Sequence, residues 1–132
     1  MDTITRSKSL VHEEITDTIL AGAIEVHRTL GPGLLESVYR ACLARELELR
    51  GMEVRQETPV PITFKGMELE GSFRADLLVE NAVIVELKVV ERLLSIHEAQ
   101  LLTHLKLLDL RVGLLLNFNA TQLRHGIKRL VN

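Results

Sequence analysis

The residues best suited to chemistry are three charged side chains in the middle of the chain, Asp76, Glu86 and Lys88. Residues 83–90 read VIVELKVV, so Glu86 and Lys88 interrupt an apolar run that is typical of a buried strand, where charge is costly. Because successive strand residues point to opposite faces, these two charges share one face. A turn at residues 80–82 would pair Asp76 with Glu86 and bring their carboxylates to within about 5 Å of each other.

Two carboxylates at this separation repel each other unless they share a proton or hold a cation. A ligand set made only of oxygen favours Mg²⁺ or Mn²⁺ over Zn²⁺. The sequence therefore predicts a divalent-metal site around Asp76 and Glu86. The alternative is that Glu86 and Lys88 lie on an exposed strand face and neutralise each other, although Ile84 and Val90 would then be exposed as well.

Composition predicts one compact domain spanning residues 1–132, with disorder expected in residues 1–12. The chain is 46% hydrophobic, and its net charge of −2 argues against histone-like binding to nucleic acid. The single Cys42 and the scattered histidines exclude an internal disulfide framework and a finger-type zinc site. We expect a cytoplasmic protein without a membrane segment, because the chain shows neither a signal peptide nor a long apolar run.

Two amphipathic helices are predicted ahead of the charged strand. The first has its apolar stripe over residues 15–30 and ends at the triplet Gly-Pro-Gly of residues 31–33, which permits a sharp turn. The second has its stripe over residues 35–47, and Gly51 stands where a left-handed C-terminal cap is expected. These two helices precede every predicted strand.

Alternating apolar and polar residues follow the second helix and predict a series of strands. The predicted strands are residues 54–64, 67–69, 73–79 and 83–90, then 111–118. A capping box, Ser95-Ile-His-Glu98, begins a third helix between the last two strands, and residues 120–131 predict a short final helix. The order α-α-β-β-β-β-α-β-α indicates an α/β domain with a mixed central sheet flanked by helices, in which the strands on either side of the third helix are parallel and are neighbours or near neighbours.

The charged motif also resembles that of a known group of enzymes. Asp76 followed by Glu86-x-Lys88 resembles the PD-(D/E)XK nuclease superfamily, without the usual proline. The segment from Gly33 to Tyr39, GLLESVY, is similar to the GxxExxY signature of a small bacterial and archaeal family within it. HRTLGPGLLESVY, VIVELKVVE, HEAQLLTHLKL and LLLNFN resemble this family in the same order. The resemblance implies a restriction-endonuclease-like fold.

The resemblance further implies a metal-dependent phosphodiester hydrolase that acts on DNA or RNA with Mg²⁺ or Mn²⁺. Lys88 would position the attacking water or stabilise the phosphorane charge, and Gln100 would border the site. Related nucleases often carry Tyr four residues after this Gln, where this chain has His104. The metal ligands would be Asp76, Glu86, Glu36 and the carbonyl of Leu87. The catalytic set would be Glu36, Asp76, Glu86, Lys88 and Gln100.

Four further residues are candidate contacts for nucleic acid, namely Tyr39, His104, Arg124 and Lys128. The alternative for Tyr39 is a half-buried core aromatic residue, for His104 a solvated or helix-capping residue, and for the basic pair an ordinary solvated helix face.

Two other functional classes compete with a nuclease. The fold could serve as a catalytically inactive binding or self-assembly module, because a fold does not guarantee chemistry. A small-molecule hydrolase is disfavoured, because no Ser-His-Asp or Cys-His arrangement can be placed. One domain of this size covers little nucleic acid, so the sequence is compatible with a homodimer or a protein partner and leaves the oligomeric state open.

Overall fold

The computed structural model describes residues 11–132, apart from the side chains of residues 70–72. Most of the segment expected to be disordered, residues 1–10, lies outside the described residues, and residues 11–12 form a turn before the first helix. The elements are α1 Glu13–Leu30, α2 Glu36–Leu49, β1 Val54–Phe64, β2 Met67–Val79, β3 Val83–Lys88, α3 Ser95–Leu108, β4 Val112–Asn117, a 3₁₀ helix Leu123–Gly126 and β5 Ile127–Val131. Over residues 11–132, none of these helices is both long enough and apolar enough to span a bilayer.

A five-stranded mixed sheet forms the centre of the domain, in the order β1-β2-β3-β4-β5. Neighbouring strands are antiparallel except β3 and β4, which are parallel and joined through α3. The sequence prediction of a mixed α/β sheet with this parallel pair is confirmed. The predicted turn before β3 is also confirmed, since Val79 pairs with Val83.

Helices cover both faces of the sheet and create two apolar layers. Leu114 of β4 packs in the layer formed with α1 and α2, whereas Leu115 packs in the layer formed with α3. Both side chains are fully buried, because adjacent strand residues point to opposite faces and both faces are covered. Central strands β3 and β4 therefore read as nearly continuous apolar runs, and any charge in them must be accommodated.

The hairpin of β1 and β2 is irregular at the position that matters most for the site. The paired positions run through Gln56–Leu77 and Thr58–Ala75 and skip Glu57 and Asp76. Glu57 adopts a left-handed conformation, with φ of 49°. Leu77 packs in the layer of α1 and α2, whereas Ala75 and Val60 pack in the α3 layer, although residues 75 and 77 of a regular strand would share one face. Asp76 thus lies where the alternation of β2 is broken.

Two short strands predicted at residues 67–69 and 73–79 are one strand in the structure, β2. Val60 pairs with Phe73 and Ile62 with Leu69, so three residues of β2 lie opposite one residue of β1. A bulge absorbs these extra residues without ending the strand. The sequence suggested a break because a bulge and a turn use the same small and polar residue types.

The helix predicted over residues 120–131 is wrong. The 3₁₀ helix Leu123–Gly126 leads into β5, which pairs antiparallel with β4 from Leu116–Ile127 to Val112–Val131. Without β5, the backbone of β4 would form an open edge with unpaired N–H and C=O groups. Pairing with β4 satisfies those groups, and this outweighs the weak helical spacing of three apolar residues in a segment that contains Gly126.

The start of α3 also differs from the predicted capping box. Leu94 is the N-cap residue, and the Leu94 N–H donates to Nδ1 of His97 at 3.0 Å. His97 therefore takes the capping role that was predicted for Ser95 and Glu98.

Gly126 permits the close approach of the 3₁₀ helix to β4. A Cβ atom at Gly126 would lie 2.6 Å from the carbonyl oxygen of Asn117, a backbone atom that cannot move independently. We expect Gly126→Ala to lower the free energy of unfolding by about 1–3 kcal/mol, the usual cost of overpacking. Urea denaturation measures the change, with the exposed neighbour His125→Ala as the control. Equal stabilities for the two variants would contradict this packing.

Candidate active site

The site begins where β2 and β3 separate. The last paired positions are Leu77 and Val85, and the same register continued by one residue sets Asp76 opposite Glu86. At this point side chains replace backbone partners: the Leu87 N–H donates to Asp76 Oδ2 at 2.8 Å, and the Asp76 N–H donates to Glu86 Oε2 at 3.4 Å. The two carboxylates are therefore held side by side at the fork between the strands.

A cleft of about 190 Å³ opens at this fork. Ten residues line it: Glu36, Phe73, Arg74, Asp76, Glu86, Lys88, His97, Gln100, Leu101 and His104. All five residues predicted as catalytic are among them, although they span about half of the sequence. Of the candidate nucleic-acid contacts, His104 lies in the cleft, and Arg124 and Lys128 lie beside separate depressions of the surface.

Elements from both faces of the sheet reach the cleft because the fork leaves a gap between β2 and β3. Glu36 is the first residue of α2, which packs on one face, and Gln100 and His104 belong to α3 on the other. Lys88 ends β3 on the face that also carries Glu86. A helix N-terminus favours negative charge, so the start of α2 suits Glu36.

Tyr39 fixes the turn that leads into α2. Its hydroxyl donates to the carbonyl of Gly31 at 2.5 Å and accepts the Leu34 N–H at 3.1 Å. The side chain is fully buried, and its ring stacks on Phe118 with 4.6 Å between centroids. The structure thus gives Tyr39 a role in the core that sets the position of Glu36, instead of the nucleic-acid contact expected from the sequence.

The electrostatics of the cleft are dominated by the crowded carboxylates. Burial raises the pKa of Asp76 to about 7, and the charges of Glu86 and Glu36 act in the same direction. The hydrogen bond from the Leu87 N–H opposes this rise in the pKa of Asp76. Asp76 therefore lies in surroundings that favour either a bound proton or a nearby cation.

Glu86 has a second partner on α3. His104 Nδ1 lies 2.6 Å from Glu86 Oε1. Because an ionised carboxylate only accepts hydrogen bonds, Nδ1 carries the proton and donates it. The sequence predicts His104 near the site but does not predict this contact, because local periodicity does not determine how a helix is aligned with a strand that is not adjacent to it in sequence.

Four lining residues were not among the predicted site residues: Phe73, Arg74, His97 and Leu101. Arg74 lies two residues before Asp76 on the same strand, so strand periodicity could have found it. Phe73 packs its ring against His104, with 5.6 Å between centroids. No sequence signal distinguishes this Phe from an ordinary strand residue.

The oxygen atoms at the fork fit a hard divalent cation. Two carboxylates face each other, and the carbonyl of Leu87 points to the same strand edge as its N–H, toward Asp76. Among the side chains that the structure describes, no group of three His, Cys, Asp or Glu residues forms a ready-made metal site. Two carboxylates and a carbonyl suit Mg²⁺, which keeps several water ligands, better than Zn²⁺.

The raised pKa of Asp76 predicts a dependence of stability on pH. Because the folded-state pKa of about 7 exceeds the unfolded-state value of 3.8, the contribution of Asp76 to stability is fully present below about pH 4 and declines as the pH rises through about 7. Asp76→Asn keeps an oxygen acceptor for the Leu87 N–H but cannot ionise. We expect this variant to be more stable than the wild type at pH 8 without metal, by up to a few kcal/mol, with the difference shrinking toward pH 4.

Urea unfolding at both pH values in the presence of a chelator measures this difference. A variant that is less stable than the wild type at pH 8 would show that the Leu87 hydrogen bond outweighs the repulsion between the carboxylates.

Comparison with known proteins agrees with the motif. The sequence matches the family model of the PD-(D/E)XK nuclease superfamily over residues 13–130, which include every residue that lines the cleft. Comparisons with curated proteins and with solved structures gave no match. The family match covers nearly the whole chain, and the mixed α/β fold with Asp76, Glu86 and Lys88 at one fork agrees with it. The chain belongs to the PD-(D/E)XK nuclease superfamily.

Proposed function

We propose that the protein is a nuclease that hydrolyses phosphodiester bonds of DNA or RNA with Mg²⁺ or Mn²⁺. The observation that carries this proposal is the single cleft that gathers Glu36, Asp76, Glu86, Lys88 and Gln100 from four different elements. Substrate and cofactor follow from the superfamily and from the oxygen-rich chemistry of the cleft.

In the proposed mechanism, the chain's own residues hold the cation, orient a water or a phosphate oxygen and neutralise the developing negative charge. Asp76, Glu86 and the Leu87 carbonyl would hold the cation, with Glu36 as a further acidic group beside them. When bound, a divalent cation polarises a phosphoryl oxygen and lowers the pKa of water. The Lys88 ammonium borders the same cleft and would stabilise the negative charge that develops on the phosphoryl group. Gln100 offers an amide that can orient a water or a phosphate oxygen.

Within the superfamily we assign the chain to the GxxExxY group. The signature runs from Gly33 to Tyr39. Gly33 has φ of 100°, a conformation that favours glycine, and Tyr39 braces the turn that contains it. The glycine, the glutamate and the tyrosine of the signature thus support one local arrangement that presents Glu36 to the cleft.

Metal binding is the first test of the proposal. We expect Mn²⁺ to raise the melting temperature of the wild type, because a ligand that binds only the folded state stabilises that state. The free energy of unfolding rises by about 2.7 kcal/mol when the ligand concentration is a hundred times Kd. Asp76→Asn should remain folded but lose this shift. Scanning calorimetry with and without Mn²⁺ measures both proteins. An unchanged Mn²⁺-dependent shift in the variant would exclude Asp76 as a ligand.

Lys88 provides a test of the chemical step. Lys88→Met keeps most of the length and the apolar packing of the side chain but removes its charge. We expect the Mn²⁺-dependent thermal shift to survive and hydrolysis of DNA or RNA to fall by about a hundredfold or more, the usual effect of removing one electrostatic stabiliser. Lys88→Arg should recover little activity, because the planar guanidinium cannot replace a compact ammonium.

The matched control for Lys88→Met is Lys106→Met, because Lys106 is an exposed lysine on α3. If Lys88→Met retains most of the activity, the assignment of Lys88 is wrong. If the wild type binds Mn²⁺ but cleaves neither single-stranded nor double-stranded DNA or RNA, the inactive binding module is the better description of the protein.

A further inference from the structure

His104 makes the shortest side-chain contact of the cleft, and the proposed mechanism leaves it without a role. Its Nδ1 lies 2.6 Å from Glu86 Oε1, and the two side chains are only 12% and 10% exposed. The ring of Phe73 packs against the imidazole. The imidazole therefore cannot turn freely, and its hydrogen bond is largely shielded from solvent.

The hydrogen bonds at the fork form one connected chain. His104 donates to Glu86 Oε1, the Asp76 N–H donates to Glu86 Oε2, and the Leu87 N–H donates to Asp76 Oδ2. The bond from the Asp76 N–H is long, at 3.4 Å, and by itself holds the Glu86 carboxylate weakly. The short bond from α3 is the contact that fixes the rotation of this carboxylate.

We propose that His104 is a positioning residue of the nuclease site, which holds Oε1 of Glu86 so that Oε2 stays directed toward Asp76. The part of this inference that concerns cation affinity rests on the proposed function, whereas the orientation of Glu86 does not. Partners that orient a ligating carboxylate or imidazole typically contribute a factor of about 10–100 in metal affinity. Through this bond, α3 would control the geometry of a site built mainly on β2 and β3.

Amide exchange tests the orientation of Glu86 without any metal. In His104→Leu, we expect the Asp76 N–H, whose acceptor is Glu86, to exchange faster, while the Leu87 N–H, whose acceptor is Asp76, stays protected. General destabilisation of the fold would accelerate both amides. His104→Asn should restore protection at Asp76, because its Nδ2 occupies nearly the same position as the lost Nδ1 and can donate. Nuclear magnetic resonance resolves the two amides individually.

Calorimetric titration with Mn²⁺ tests the consequence for the cation. We expect His104→Leu to weaken Mn²⁺ binding by about tenfold or more and His104→Asn to recover most of the loss. Thr103→Val, an exposed neighbour on α3, is the matched control and should behave as the wild type.

Unchanged protection of the Asp76 N–H in His104→Leu, or equal acceleration of both amides, would overturn the positioning role. Hydrolysis that resists a chelator yet is lost in His104→Asn would also overturn it, because His104 would then act on substrate directly. If the wild type binds no Mn²⁺, the proposed function loses its metal site, while the amide pattern still decides whether His104 orients Glu86.

Discussion

The central constraint on this structure is that two carboxylates lie beside each other at a partly buried fork. This arrangement costs free energy, which the rest of the fold must offset. Burial of Asp76, together with repulsion from Glu86, raises the pKa of Asp76 to about 7. Stability alone would not favour a pair of acidic residues at these two positions. The arrangement persists because the surrounding sheet and helices hold it, and such stored repulsion is the usual mark of a functional site.

Burial of apolar side chains in the two layers stabilises the strands that form the fork. Strands β3 and β4 are parallel and covered on both faces, so the strand that carries Glu86 cannot shift without exposing side chains such as Leu87 and Ile84. Next to it, the regular pairing of β2 is interrupted at Asp76, and the backbone N–H groups of Asp76 and Leu87 donate to the two carboxylates. Rigid and irregular parts of the sheet therefore meet at the site, and the irregular part makes room for the cleft.

Residues outside the cleft act on it by fixing the helices. Buried Tyr39 bonds to the turn before α2 and so places Glu36, which explains how a residue with no exposed surface can belong to the same signature as an acidic one. On the opposite face, α3 contributes Gln100 and His104, and His97 caps the start of this helix. The helices on the two faces of the sheet thus place different side chains around the same acidic pair.

The sequence by itself determined the acidic pair, its shared strand face with Lys88, the two N-terminal helices and the parallel β3–β4 pair, because each follows from local periodicity or from short turns. It did not determine the C-terminal element: local spacing predicted a helix over residues 120–131, whereas pairing with the edge of β4 imposes a strand. It also did not show that Tyr39 is fully buried or that His104 bonds to Glu86. Those facts depend on contacts between segments far apart in the chain, and only the packing of the helices against both faces of the sheet decides them.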